Sequence, residues 1–205
     1  MTARPPAPAP SDHPSWAEHA RGLYNAGNIG AAIEIVETRV KSHPGDIAAW
    51  RNFVRWLTEA WQFARADAAL GQALATFGND AVLLALQIFV KQELGQSDIG
   101  RTVAANAALF HPDRLSFQFD SRLLLPMVYA DKADLDVRRE QYANGLGELE
   151  TMLPVMQQDP ARVFTLERSN FLLAYQGEDD LPLQRRYANI CNVSNTASSP
   201  NTASA

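Results

Sequence analysis

The sequence predicts an all-α fold of stacked helix pairs, and three observations carry that expectation. First, residue types recur every 34 positions: Trp16, Trp50 and Leu84; Ala32, Ala66 and Gly100; Val36, Leu70 and Ala104; Pro44, Gly78 and Pro112. Second, glycine returns in the same register, Gly27 as Gly95, with Trp61 in the middle slot. Third, apolar residues between these marks fall at helical spacing, as Ile33, Val36 and Val40 do. One column at a fixed spacing carries little weight, but five in one register specify a repeat. Arg39 departs from the pattern, standing where the later repeats have Ala73 and Ala107.

A unit of 34 residues with a bulky residue early, a small one midway and Pro or Gly at its end resembles the tetratricopeptide repeat. Such a unit is a helix, a turn and a second helix. The bulky residue fills the space between the two, and the small residue lets their backbones approach. Gly27 and Gly95 fall at the turn, where a left-handed conformation costs glycine little. Pro44 and Pro112 stop the second helix, because proline lacks the amide proton and clashes with the preceding turn. One hairpin cannot bury its own apolar face, whereas three stacked hairpins can. The expected architecture is therefore a right-handed superhelix of three repeats over 13–114, followed by further helices.

Taken in order, residues 1–12 are rich in Pro and Ala and read as a disordered tail. Ser15–Ala26 and Ile29–Ser42 are expected as the helices of repeat one. Ala49–Ala60, with Trp50, Phe53, Val54 and Leu57 on one face, and Phe63–Thr76 make repeat two. The first helix of repeat three, AVLLALQIFVKQEL, is apolar on nearly every side, which suits contacts on both flanks. Trp16 and Trp50 belong to the packing column and read as core. Trp56 and Trp61 lie outside it.

The segment 112–126 shows no strong helical stripe and ends in proline, so it reads as an extended connector. A new helix is expected from Asp131, capped by that residue, with Asp134 in its first turn. Tyr142, Leu146, Leu149 and Leu153 continue it as a stripe, and Pro154 closes it. Asp159 and Pro160 read as the cap and first position of a further helix. That helix runs through Val163, Leu166, Phe171 and Leu172 to about Gln176, where Gly177 ends it. Asp180 and Pro182 start another through Tyr187. The helical connector thus spans 115–190, and 191–205 is polar, of low complexity and expected to be disordered. The change of character after Ala188 reads as a truncation or a change of frame.

Arrays of this kind bind extended peptides along the first helices of their repeats. Counted from the tryptophan column, the groove candidates are Glu18, Arg21, Asn52, Arg55, Glu59, Phe89 and Gln92. Most can hydrogen-bond a peptide backbone, and Phe89 can line an apolar pocket. The expected partner is a protein or an extended peptide.

The segments LPMVYADKADLDVRREQYANGL, Leu125 to Leu146, and SNFLLAYQGEDDLPLQRRYA, Ser169 to Ala188, resemble the connector of bacterial O-linked N-acetylglucosamine transferases of the SPINDLY type. In that family, repeats and connector precede a two-lobed nucleotide-sugar transferase domain. The resemblance covers roughly residues 13–188 and implies a substrate-recognition arm. Its catalytic domain would begin after Tyr187. Only 18 residues remain (205 − 187), too few for two lobes of about a hundred residues each. No catalytic or sugar-nucleotide residue carries over, and the chain as it stands reads as non-catalytic. A separately encoded catalytic chain is a further partner the resemblance implies. A stand-alone adaptor is the reading without it. The family's groove asparagines have one counterpart here, Asn52, with Glu18 and Leu86 in the other two places.

Composition sets the remaining bounds. Hydrophobic residues make up 46% of 205 residues, which marks a globular chain. The net charge of −5 argues against a nucleic-acid platform. The single cysteine, Cys191, excludes an intrachain disulfide and a cysteine zinc cage. No apolar run reaches a membrane-spanning length, and the N-terminus lacks the apolar core of a signal peptide. The expected compartment is the cytoplasm. His13, His19, His43 and His111 are scattered, so no metal is expected. No phosphate-cradling glycine loop or nucleophile elbow occurs, so no cofactor is expected. Glu178, Asp179 and Asp180 read as a turn and helix cap.

Overall fold

The computed structural model describes residues 15–158 and 170–192. Among them there are ten α-helices, one 3-10 helix and no strand. The chain is all-α, with helices packed in consecutive pairs. It divides into two compact units between Thr76 and Phe77. Of the segments expected to be disordered, 1–12 and 193–205 lie outside the described residues, as does the stretch 159–169 of the helix expected from Pro160 to about Gln176.

The first unit contains α1 (Trp16–Asn25), α2 (Ile29–Ser42), α3 (Ile47–Glu59) and nearly all of α4 (Phe63–Phe77). Ser15 starts α1 with a complete capping box: its hydroxyl accepts from the Glu18 amide, and the Glu18 carboxylate accepts from the Ser15 amide. Asp46 caps α3 by accepting from the Ala49 amide at 3.0 Å. Helix α3 therefore starts two residues before the expected Ala49. Ala32, Val36, Ala49, Val54, Leu57, Ala66, Leu70 and Ala73 are buried. A leucine or valine buried in this way contributes about 1.5–3 kcal/mol.

The second unit holds α5 (Ala81–Glu93), α6 (Ser97–Phe110), α7 (Leu115–Leu123), α8 (Lys132–Thr151), α9 (Leu153–Met156) and α10 (Leu181–Cys191). A 3-10 helix, Phe171–Gln176, precedes α10. Leu115, Phe119 and Leu123 of α7 form a core with Tyr142, Leu146 and Leu149 of α8, Met156, Leu173 and Ile190.

The period of 34 governs where helices begin. First helices start at Ile47, Ala81 and Leu115, and second helices at Ile29, Phe63 and Ser97, each 34 apart. The next second helix is expected at 131 (97 + 34), and α8 begins at Lys132, one residue later. Buried columns run through all three first helices: Ala49, Leu83 and Phe117, then Trp56, Val90 and Leu124. The segment read from sequence as an extended connector is therefore a helix, α7, which starts in the register of the preceding first helices and packs against α8. No single stripe announces it because it buries more than one side. Leu115, Phe119 and Leu123 join the core above, while Phe117 lies against His111, 5.9 Å between rings.

Other elements end differently from the expectation. Helix α8 closes at Thr151, and Pro154 stands in the first turn of the short α9 rather than after a stop. Residues 171–176 are 3-10 rather than α-helical, and Gly177 ends them in the left-handed region, φ 70°. Helix α10 runs four residues beyond Tyr187, so Cys191 is its last residue and half-buried, not part of a tail. Trp56 is buried and stacks on Tyr24. Trp16 is half-buried beneath the Arg39 guanidinium, 5.4 Å from its ring centre.

Candidate functional site

Repetition places chemistry as well as core. On α1 and α3, positions 34 apart present polar side chains: Glu18 with Asn52, which differ in charge, and Arg21 with Arg55, which match. Asn52, Arg55 and Glu59 recur at i, i+3 and i+7, one face of α3. Glu18, Arg21, Arg55 and Glu59 are exposed, and Asn52 is half-exposed.

Two of these residues also serve the fold. The Glu18 carboxylate is held by the Ser15 amide and hydroxyl, which keeps its acidity greater than usual. The carboxylate of Glu59 accepts a short hydrogen bond from the Tyr24 hydroxyl, 2.5 Å. That bond raises the Tyr24 pKa above its ordinary value. The Tyr24 ring in turn lies flat on Trp56, with centroids 5.0 Å apart and planes 13° off parallel. Tyr24 thereby ties α1 to α3 and fixes the Glu59 carboxylate beside Arg55. Sequence reasoning named Glu59 but not Tyr24. The signal available for Tyr24 was its place on the same first-helix element as Arg21.

Phe89 and Gln92 belong to the second unit, on α5. Phe89 is 41% exposed, a large apolar side chain on an otherwise deeply packed helix. The Gln92 amide donates to the Leu125 carbonyl at 2.9 Å, so it anchors the chain that leaves α7. Within the first unit, the structure brings Glu18, Arg21, Asn52, Arg55 and Glu59 onto two helices of one compact body.

The polar residues of the Asn170–Gln184 phrase are spent inside the second unit. The Asn170 amide donates to Gln184 Oε1 at 2.6 Å. Arg139 on α8 donates to Gln176 Oε1 at 2.6 Å, to Asp180 Oδ1 at 2.5 Å and to the Asp179 carbonyl at 2.9 Å. The Gln176 amide passes on to the Tyr129 hydroxyl, 2.6 Å. Arg186 clamps Glu150 with two bonds of 2.8 and 2.9 Å and also donates to the Ala143 carbonyl. This phrase is a latch that fastens the 3-10 helix and α10 onto α8. Asp180 serves Arg139, and the amide at the start of α10 is met instead by Asp179, 3.1 Å to the Leu181 nitrogen.

Among the described residues no group of three or more His, Cys, Asp or Glu side chains is placed to hold a metal ion. No described helix is long and apolar enough to cross a membrane. Burial pushes the Cys191 thiol above its ordinary pKa, which lowers its thiolate fraction. No family model and no curated protein matches the chain.

Proposed function

We propose that this chain is a non-catalytic peptide-binding module, a tetratricopeptide-type array that holds an extended segment of a partner protein. The observation that carries the proposal is the paired presentation of Glu18 with Asn52 and Arg21 with Arg55 on successive first helices. Side chains repeated at one helix-pair interval suit a ligand that is itself repetitive, and an extended backbone is such a ligand. Arg55 and Asn52 offer donors, and the Tyr24-oriented Glu59 offers an acceptor.

The finer reading is kinship with the recognition arm and connector of SPINDLY-type O-linked N-acetylglucosamine transferases. The latch supports it, because Arg139 holds Gln176, Asp179 and Asp180 of the resembling phrase together, and Asn170 and Gln184 of the phrase bond to each other. In this reading the chain recognises polypeptide in the cytoplasm and leaves sugar transfer to a separate catalytic chain.

A fluorescence-anisotropy screen of labelled, unstructured 15-residue peptides against the purified chain tests the proposal. Saturable binding is expected, weakened at least tenfold by Asn52→Ala combined with Arg55→Ala, both at solvent-accessible positions. Binding that is indifferent to that pair would contradict the assigned face. Transfer of N-acetylglucosamine from its UDP donor to a peptide by the purified chain would contradict the non-catalytic reading.

A further inference from the structure

The repeat register exposes a second site in the second unit. In the first unit, a cleft of about 380 Å³ opens between α2 and α4, and its floor on α3 includes the aromatic pair Trp50 and Phe53. The corresponding cleft between α6 and α8, floored by α7, has a volume of about 470 Å³. Advancing Trp50 and Phe53 by two periods (50 + 68 and 53 + 68) gives Gln118 and Ser121, and both line this second cleft. At the positions where repeat two places buried aromatic rings, the α7 floor is polar. A polar floor in a packing position needs partners: the Ser121 hydroxyl donates to the Gln118 carbonyl at 3.0 Å, and Arg122 donates to Ser121 Oγ at 3.1 Å and to Gln118 Oε1 at 2.8 Å, which leaves the Gln118 side-chain N–H groups as donors.

The second cleft also receives a cation. Arg101 reaches in from α6 and is half-buried. It donates to two uncharged acceptors, the Ser121 carbonyl at 3.3 Å and Gln141 Oε1 at 2.7 Å. Among the described residues no carboxylate forms an ion pair with it. The neighbouring arginines are already matched. Arg138 binds Asp98 and Asp134, and Arg122 binds Glu148 at 2.9 Å. Burial lowers the Arg101 pKa, although an arginine stays protonated at neutral pH. Two of its five N–H groups are used by the two bonds above, which leaves three donors. Among the residues that line the cleft, Arg101 and Arg122 face Glu148, a net positive charge of one that suits a monoanion, while Asp98, held by Arg138 outside the lining, also acts on Arg101.

We propose that the α6–α7–α8 cleft binds a carboxylate, with Arg101 as its charged partner and the side-chain N–H groups of Gln118 as flanking donors. The site does not depend on the peptide face of α1 and α3. A carboxylate can reach it as a free small acid or as the side chain of a glutamate within a peptide. Guanidinium and carboxylate are geometrically matched, so Arg101 can meet either source with paired N–H donors.

Backbone-amide NMR titration of the full chain with acetate, with the blocked peptide acetyl-Ala-Glu-Ala-amide, and with inorganic phosphate tests the site. Saturable shifts confined to residues around Arg101, Ser121 and Gln141 are expected with at least one carboxylate probe, and the responding probe identifies the source. Arg101→Gln is expected to weaken that binding at least tenfold. Ser121→Phe, which restores the repeat-two residue and fills the cleft, is expected to abolish it in a chain whose remaining spectrum is unchanged. No saturable shift with either carboxylate, a response to phosphate alone, or binding by either variant as tight as that of the unsubstituted chain would overturn the proposal.

Discussion

Trp61 occupies the slot that the neighbouring hairpins give to glycine. Its φ of 58° matches the left-handed values of Gly27 (79°) and Gly95 (73°), and among the described residues it is the single non-glycine there. The indole is 78% exposed and meets the Phe63 ring edge-on at 5.8 Å. Backbone strain of this kind costs about 1–2 kcal/mol for an L side chain, and the exposed ring recovers little of it. Trp61→Gly is therefore expected to stabilise the chain by about 1 kcal/mol, seen as a higher urea midpoint. A lower midpoint would show that the Phe63 contact outweighs the strain. Arg39 is the converse case, a long side chain in a small-residue column. It points outward, covers the Trp16 ring and pairs with Asp46 at 2.8 Å, so the column tolerates it. Both departures were visible in the sequence as exceptions to a column. Their structural roles were not, because register says which residue is unusual and not where its side chain turns.

At the scale of elements, the C-terminal latch has an electrostatic signature. Arg186 holds the Glu150 carboxylate below its ordinary pKa of 4.5 through their paired hydrogen bonds. The unfolded chain regains the ordinary value, so this pair supports the fold above about pH 4.5 and loses that support as the pH falls through the lower folded value. About a third of each side chain is exposed, which limits the contribution to about 0.5 kcal/mol. Glu150→Gln is expected to lower stability by that amount at pH 7, with the difference vanishing once the pH falls below the folded-state pKa, in urea unfolding series. A difference that persisted unchanged in acid would assign the effect to packing. Helix α7 shows why some elements hide from sequence. It is nine residues long, starts after Arg114 without a side-chain cap and buries two sides, so neither a stripe nor a cap marks it. Helices α2, α5 and α8 were legible because a cap, a turn glycine or a long apolar face marks them. Gly145 shows how closely α7 and α8 then approach, since a Cβ there would lie 2.6 Å from the Arg122 carbonyl oxygen.

At the scale of the molecule, one interval of 34 residues orders helix starts from Ile29 to Leu115 across both compact units. That interval made the all-α class and the first six helices readable from sequence. It also marked one half of the candidate chemistry, the Glu18–Asn52 and Arg21–Arg55 pairs. The α6–α7–α8 cleft escaped notice for a physical reason. Gln118 and Ser121 become informative only once α7 is known to stand in register with α3, and the residues that face them on α8 sit further along its helix. Gln141, Asn144, Gly145 and Glu148 follow Arg65, Ala68, Ala69 and Gln72 by 76 residues, eight more than two periods. Eight residues are about two helical turns, so α8 meets its cleft two turns later than α4 does.

Everything assigned to the array rests on α7 being a packed first helix in that register. Amide hydrogen exchange read by mass spectrometry over Leu115–Leu123 tests it most directly. The account predicts protection there comparable to that of Ala81–Glu93 in α5, since both helices carry fully buried columns. Exchange of that segment at the rate of an unstructured chain, with α5 still protected, would contradict it.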